Sequence, residues 1–418
     1  MKDVISDSSR LVSVALVGIG GYGRHYLRAL REDVPPDRAR LVAAVEPFPE
    51  LCPVRPQLKQ EDIPLFPSLE ELFISGLQPD LVVIASPLHE HVPQSCSALE
   101  HGCHVLCDKP LGATVQDADR LIEVEQASGR KVLIGYQWSY SRAVQALKAE
   151  IRSGRWGRPL RFKSLCLWPR DTAYYRRNDW AGRIRDRSGR WVLDSPANNA
   201  MAHFLHNMLY LLGKEADRSA DPAEVTAEAY RVFPIENYDS VACRIWTDEG
   251  VELLFYASHA VPEESGPWFH LTLEDAEIAC RGRGGEIVCR SGRDEGRSLG
   301  APAADHHFQK LFDAVRLAAA DSDTEILCGP AAARPQTLCV NGIQDSVAEP
   351  TDLSGSHARH GPGGRIWIEG LSEAFIDAYR NGVLPSEAGP SWARSGETVD
   401  LRGYTHFPGG TIPAGEHP

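Results

Sequence analysis

No stretch of this chain stays apolar for the roughly 18 residues that a membrane-spanning helix needs. A surplus of positive charge is missing too. Lys and Arg number 44 against 57 Asp and Glu, a formal net charge of −13. Nucleic acid and an anionic membrane surface are therefore poor partners. The opening MKDVISDSSR has no apolar core of the secretory kind. It reads as a frayed tail, and the expected location is the cytoplasm. Metal-type cysteine pairs are scarce. The ten cysteines are scattered, no C-x-x-C occurs, and a chain of 418 residues needs no disulfide staples. Cys103 and Cys107 in GCHVLC bracket His104 and lie near His101, so a metal site is conceivable there. Cys103, Val105 and Cys107 share one face of an expected strand, however, and packed thiols with no metal are the expectation. Internal repeats and low-complexity tracts are absent.

What is present begins with LVSVALVGIGGYGRH, residues 11–25. Val12, Val14, Leu16 and Val17 form a short apolar run of the kind a parallel strand buried on both faces shows. Gly18, Gly20 and Gly23 follow at G-x-G-x-x-G spacing, with Ile19, Gly21 and Tyr22 between them. Such a turn gives a pyrophosphate room against the backbone, and the helix after it presents free N–H groups. A second apolar run, residues 41–45, ends in Glu46, 23 residues past Gly23. A carboxylate there accepts from both hydroxyls of an adenosine ribose and repels a 2′-phosphate, so NAD is expected rather than NADP.

At 418 residues two domains are expected. Residues 11–137 alternate strands and helices, the pattern of a doubly wound parallel sheet, a Rossmann-type α/β domain. Strands are expected at 81–85, 104–107 and 132–135, and helices at 22–32, 69–74, 92–102 and 117–128. Residues 47–67 read as loop and short helix. Residues 138–400 form a second α/β domain for substrate binding and oligomerisation. It starts with a helix at 143–153. Alternating segments at 160–168, 225–233, 241–246, 251–259 and 268–280 suggest an open, mostly antiparallel sheet. Residues 281–300 suggest a hairpin, and helices are expected at 305–320, 330–347 and 365–381. Residues 355–364 and the tail from 401, above all past Pro408, read as flexible.

Three constellations could carry chemistry. Lys109, in HVLCDKPLG, lies just past a strand's C-terminal end, where open α/β sheets place ligands. Its ammonium can donate to a substrate hydroxyl and favour the negative charge that grows as hydride leaves. A helix expected over 198–212 sets His203, His206, Asn207 and Tyr210 on one face. Between the two lies the segment 167–191, with five Trp or Tyr residues and seven arginines. Aromatic faces beside hydrogen-bonding side chains suit a sugar, and arginine forks suit an acidic substituent. Arg170, Tyr175 and Asn178 are expected to line a pocket there, bordered by Tyr136 and Gln137.

The glycine turn GIGGYG, the acid in AAVEP, the run from IASPLHEHV to ALEHGCHVLCDKPLG, and the antiparallel C-terminal half together resemble the Gfo/Idh/MocA family, named for glucose–fructose oxidoreductase and inositol dehydrogenase. The resemblance spans about residues 11–350. It implies NAD contacts at the glycine turn, Glu46, Ser86, Pro87, His91, Asp108, Lys109 and Gln137. The family usually has Glu-Lys-Pro where this chain has Asp108-Lys109-Pro110, often with a cis peptide before the proline. Its pattern D-x-G-x-H-x-x-D, aligned on His203, implies His203 as catalytic base. Asn199 and His206 then stand where acids are usual, and Asp194 is near enough in sequence to fold back. Lys109, Tyr136, Arg170, Tyr175, Asn178, Asn199, His203 and His206 are the implied substrate contacts, in the cleft over the nicotinamide. The implied assembly is a homodimer or homotetramer formed through the C-terminal sheet. The expected activity is oxidation of a sugar, sugar derivative or polyol by NAD⁺. Two alternatives stay open: an NAD-requiring glycoside hydrolase that oxidises, eliminates, hydrates and reduces, and a non-catalytic NAD(H)-binding protein.

Overall fold

The computed structural model describes residues 10–292, 294–320 and 325–409. Most of the expected N-terminal tail, and the end of the C-terminal one, lie outside the described residues. By internal contacts the chain divides into two compact units. The first comprises residues up to Gly112, Asp117–Tyr140 and His306–Pro330. The second comprises Ala113–Gln116, Ser141–Asp305 and the described residues from Ala331 on.

The first unit is built on β1 (Val12–Val17), β2 (Ala39–Val45), β3 (Leu65–Phe66), β4 (Leu81–Ile84), β5 (His104–Cys107) and β6 (Val132–Ile134). Their order is β3-β2-β1-β4-β5-β6, and every pairing is parallel. β4, β5 and β6 are buried at every position, which is why β4 and β6 read as unbroken apolar runs and β5 as one after its first residue, His104, rather than as alternating segments. The strand order reverses between β1 and β4, and such sheets bind ligands outside the carboxyl ends of the strands at that point. Helices α1 (Gly23–Glu32), α2 (Arg55–Gln60), α3 (Leu69–Ile74), α4 (His91–Glu100) and α5 (Val115–Ser128) connect the strands. β3 is missing from the sequence reading. Two residues are too few to show a period, and Leu65–Phe66 extends only because β2 offers it backbone partners: Glu46 N–H donates to Phe66 O at 2.9 Å.

The second unit opens with α6 (Arg142–Arg152), then β7 (Pro159–Leu167), α7 (Thr172–Arg176) and α8 (Ala202–Leu211). The sheet continues through β8 (Pro222–Arg231), β9 (Ser240–Thr247), β10 (Glu252–Ser258), β11 (Ser265–Leu273), β12 (Ala276–Arg281), β13 (Val288–Ser291), β14 (Asp294–Ser298) and β15 (Thr351–Asp352). β16 (Ala358–His360) and β17 (Ile366–Ile368) make a separate two-stranded sheet, and β18 (Thr398–Asp400) adds to β8. The large sheet runs β14-β13-β12-β11-β7-β10-β9-β8-β15, antiparallel except for the β7–β10 and β8–β15 pairs. Its helices are α10 (Pro330–Ser346), α11 (Leu371–Asn381) and α12 (Pro385–Ala388), whereas α9 (Gln309–Ala320) belongs to the first unit.

Three local expectations change. The stretch 268–280 is not one strand but two, β11 and β12, turning at Glu274–Asp275. The helix expected over 365–381 starts only at Leu371. Ile366 and Ile368 point inward as alternate residues of β17, and Gly370, at φ +76°, breaks the chain before the helix. The helix expected from Asn198 starts at Ala202, because Asn198 N–H donates to Ser195 Oγ (3.2 Å) and the Asn199 side chain to Asp194 (2.7 Å), local bonds that compete with helix.

Candidate active site

In the first unit the glycine turn is shaped by close approach. Gly18 has φ +83°, and a Cβ there would lie 2.6 Å from the Ser86 backbone nitrogen. A Cβ on Gly23 would lie 2.3 Å from Gly18 O. Ile19 is fully buried, while Gly20, Gly21 and Tyr22 are exposed. Gly20 N–H donates to Glu46 Oε2 at 2.8 Å. The β1–α1 turn and the acid that ends β2 therefore meet, as ribose recognition beside a phosphate cradle requires. These residues fit a dinucleotide: Gly18, Gly20 and Gly23 would pass the pyrophosphate, and Glu46 would take the ribose hydroxyls.

Ser86 and Pro87 follow β4. His91, at the start of α4, is buried with Nε2 3.0 Å from Ser86 O and Nδ1 2.7 Å from Pro110 O. It pins the loop after β4 to the loop after β5. The Lys109–Pro110 peptide is cis. Asp108 is buried, accepting from Tyr26 Oη at 2.8 Å and from Lys310 Nζ at 2.8 Å. Burial pushes its carboxyl up, but Lys310 and Lys109 outweigh this and hold it down at about 2. Asp108, one methylene shorter than Glu, thus bonds the side chains of Tyr26 and Lys310. Tyr136 is fully buried, and Gln137 starts a short 3₁₀ turn after β6.

In the second unit the segment after β7 gathers aromatics and arginines. The Arg170 guanidinium lies 4.9 Å from the centre of the Tyr174 ring, and that of Arg177 lies 3.8 Å from it. Tyr174 packs 5.3 Å from His259, whose Nδ1 is 2.9 Å from Trp168 O. Trp168 meets Phe204 edge-on at 5.4 Å, and Phe204 adjoins His203 in the first turn of α8. Tyr175 turns toward Phe233 (4.9 Å) and the apolar cluster there. Asn178 shapes the chain, its Oδ1 accepting from the N–H groups of Trp180 and Ala181. Asp194 is buried and accepts from Gly182 N–H (2.6 Å) and Asn199 Nδ2 (2.7 Å), which brings its carboxylate against the Asn199 amide.

His203 is half-buried. His206, one turn on, is buried and stacked 5.4 Å from Tyr210. Burial, with nearby Lys148, lowers its pKa to about 3. An imidazole so placed stays neutral and packs. The sequence reading missed Lys310, Tyr26, Tyr174 and His259. Nothing in local spacing marks Lys310, which reaches Asp108 from 202 positions away. Tyr174 and His259 were visible only as members of an aromatic segment and a strand end. Among the described residues no group of three or more His, Cys, Asp or Glu is placed to hold a metal. No helix among them is long and apolar enough to cross a membrane.

Comparison with known proteins adds the following. Residues 12–136 match a family described as an oxidoreductase family with an NAD-binding Rossmann fold, and residues 144–279 match the GFO/IDH/MocA C-terminal domain. Inositol 2-dehydrogenase of Acidothermus cellulolyticus is 31% identical over 165 residues, 37% of this chain and 44% of that protein. That of Burkholderia ambifaria is 26% identical over 213 residues, 49% of this chain and 55% of that protein. The chain spans about half the length of the curated relatives it matches. The solved WlbA dehydrogenase from Chromobactrium violaceum, in complex with NADH and UDP-GlcNAcA, aligns with TM-score 0.67 at 17% identity over 82% of this chain and 95% of that one. An oxidoreductase from Agrobacterium radiobacter, in complex with NAD⁺, L-tartaric acid and magnesium, aligns with TM-score 0.63 at 16% identity over 94% and 99%. At these identities the likeness is one of fold.

Proposed function

This chain belongs to the Gfo/Idh/MocA family of NAD-binding oxidoreductases, and from that premise we propose that it is an NAD-dependent dehydrogenase of a sugar, sugar derivative or polyol. The observation that supports NAD is the Glu46 carboxylate 2.8 Å from the Gly20 N–H. It offers acceptors to ribose hydroxyls and repulsion to a 2′-phosphate. NAD⁺, when bound, supplies the hydride acceptor. Lys109 donates from its ammonium to the substrate hydroxyl oxygen and favours the charge that develops on it as hydride leaves. His203 accepts the hydroxyl proton. Asp194, through Asn199, orders the turn that leads into α8.

For the substrate, the support is the ring of Tyr174 with Arg170 and Arg177 against it, in one unit with Trp168 and His203. Flat apolar faces beside charged donors suit a sugar carrying an acidic group. Asn199, in place of the family's acid, favours a second reading, glycoside cleavage by transient oxidation. Incubation of NAD⁺ with neutral and acidic sugars and their glycosides, following NADH and released sugar together, tests both. Stoichiometric NADH is expected. Sugar release without lasting NADH would establish the second reading, and tight NAD binding with neither product would leave a binding protein.

A further inference from the structure

We propose that Lys310, brought to the first sheet by α9, is a positioning residue for Lys109, fixing both the place of that ammonium and its hold on a proton. The inference rests on the role given above to Lys109, but its geometry does not. Lys310 is 1% exposed and donates to Asp108 Oδ1 (2.8 Å) and to Gly135 O (3.1 Å). Tyr26 Oη donates to the same carboxylate oxygen (2.8 Å). The fit is tight, since a Cβ on Gly135 would lie 2.8 Å from Asp108 Oδ1 and 3.0 Å from Lys310 Nζ. One buried ammonium thus ties the end of β5, the end of β6 and α9 together at the residue before Lys109.

A buried ion normally needs a reason. Removing one partner of such a pair leaves an uncompensated charge, while an apolar pair of similar volume often serves stability as well. Here the pair does something an apolar pair could not. It places a second positive charge beside Asp108, so that this carboxylate does not act on Lys109 alone. The same segment also reaches the glycine turn, His307 Nε2 lying 2.7 Å from Tyr22 Oη. The titratable and charged groups acting on Asp108 or Lys310 are Tyr22 of the glycine turn, Tyr26 of α1, His91 of α4, Cys107 of β5, Lys109 in the loop after it, Tyr136 after β6, and His307 before α9.

The test reads Lys109 directly. Competitive amine labelling across pH, with the Lys109 peptide quantified by mass spectrometry, reports its protonation without any substrate. In Lys310→Met a repelling ammonium is lost and Asp108 is left to Lys109. The labelling midpoint of Lys109 is expected to rise by about one pH unit or more. The double variant Asp108→Asn/Lys310→Met, which buries no lone charge and so keeps the fold, is expected to return the midpoint toward wild type. Unchanged midpoints in both folded variants would overturn the proposal, as would a shifted midpoint in the double variant alone. If wild type shows no dehydrogenase activity while Lys310→Met still shifts Lys109, the functional reading fails and this inference stands.

Discussion

At the residue scale, Lys109 and Gly18 have opposite signatures. Lys109 is half-exposed, in the loop after β5, rather than packed into the core. Lys109→Ala is therefore expected to lower kcat by about 10²–10⁴-fold while the NAD dissociation constant stays within a few-fold. Steady-state kinetics beside a fluorescence titration of NAD would check this, and a mutant with normal turnover removes Lys109 from the mechanism. Gly18 is the converse. A side chain there meets the Ser86 backbone at 2.6 Å in a left-handed conformation. Gly18→Ala is expected to cost about 1–3 kcal/mol of stability and to weaken NAD binding in the same titration.

At the scale of elements, the return of the chain matters more than any single helix. α10 carries Asn341, fully buried, whose Oδ1 accepts from Val115 N–H (2.8 Å) and whose Nδ2 donates to Ala113 O (2.8 Å). One amide thus holds residues 113–116 within the second unit. Asn341→Ala leaves a buried donor and a buried acceptor unpaired. A loss of about 2–4 kcal/mol is expected, measurable as a lowered urea midpoint. A change below ~0.5 kcal/mol would mean that water replaces the amide. α11 covers one face of the large sheet. Leu165, Leu167, Leu254 and Tyr256 pack with Phe375 and Tyr379, and Tyr256 Oη donates to Val383 O (2.6 Å). The chain's own C-terminal segment therefore covers that face of the sheet.

At the scale of the whole molecule, buried ionisable groups set the response to acid. Burial lowers His206 and His259 to about 3. From pH 6.5 down to about 3 the unfolded chain binds a proton at each and the native chain does not. Stability then falls with pH by about 1.4 kcal/mol per pH unit for each histidine. Asp239, raised by burial to about 6, acts oppositely between about pH 4 and 6, where the native chain keeps a proton that the unfolded chain has lost. Asp108, held at about 2, adds a further loss below about pH 4. Stability measured by urea unfolding is expected to drop from pH 6.5 to 6, slacken toward pH 4, then drop steeply. His206→Gln should remove one histidine's share of the slope. A flat profile from pH 7 to 4 would show that these imidazoles are not held neutral.

Short-range chemistry was legible in the chain itself. The apolar runs of β1, β4 and β5, the G-x-G-x-x-G spacing, the acid after β2 and the Asp-Lys-Pro loop express constraints within a few residues or one βαβ step, and they fixed the family, the parallel sheet and the place of Lys109. What only the tertiary structure decided involves partners far apart in sequence. Lys310 answers Asp108, Asn341 holds Val115, Asp194 bonds the Asn199 amide, and His206 is turned into packing while its neighbour His203 stays half-exposed. Spacing along a helix tells which side chains share a face, but burial and charge pairing depend on what that face meets, and that is settled only when distant segments close upon one another.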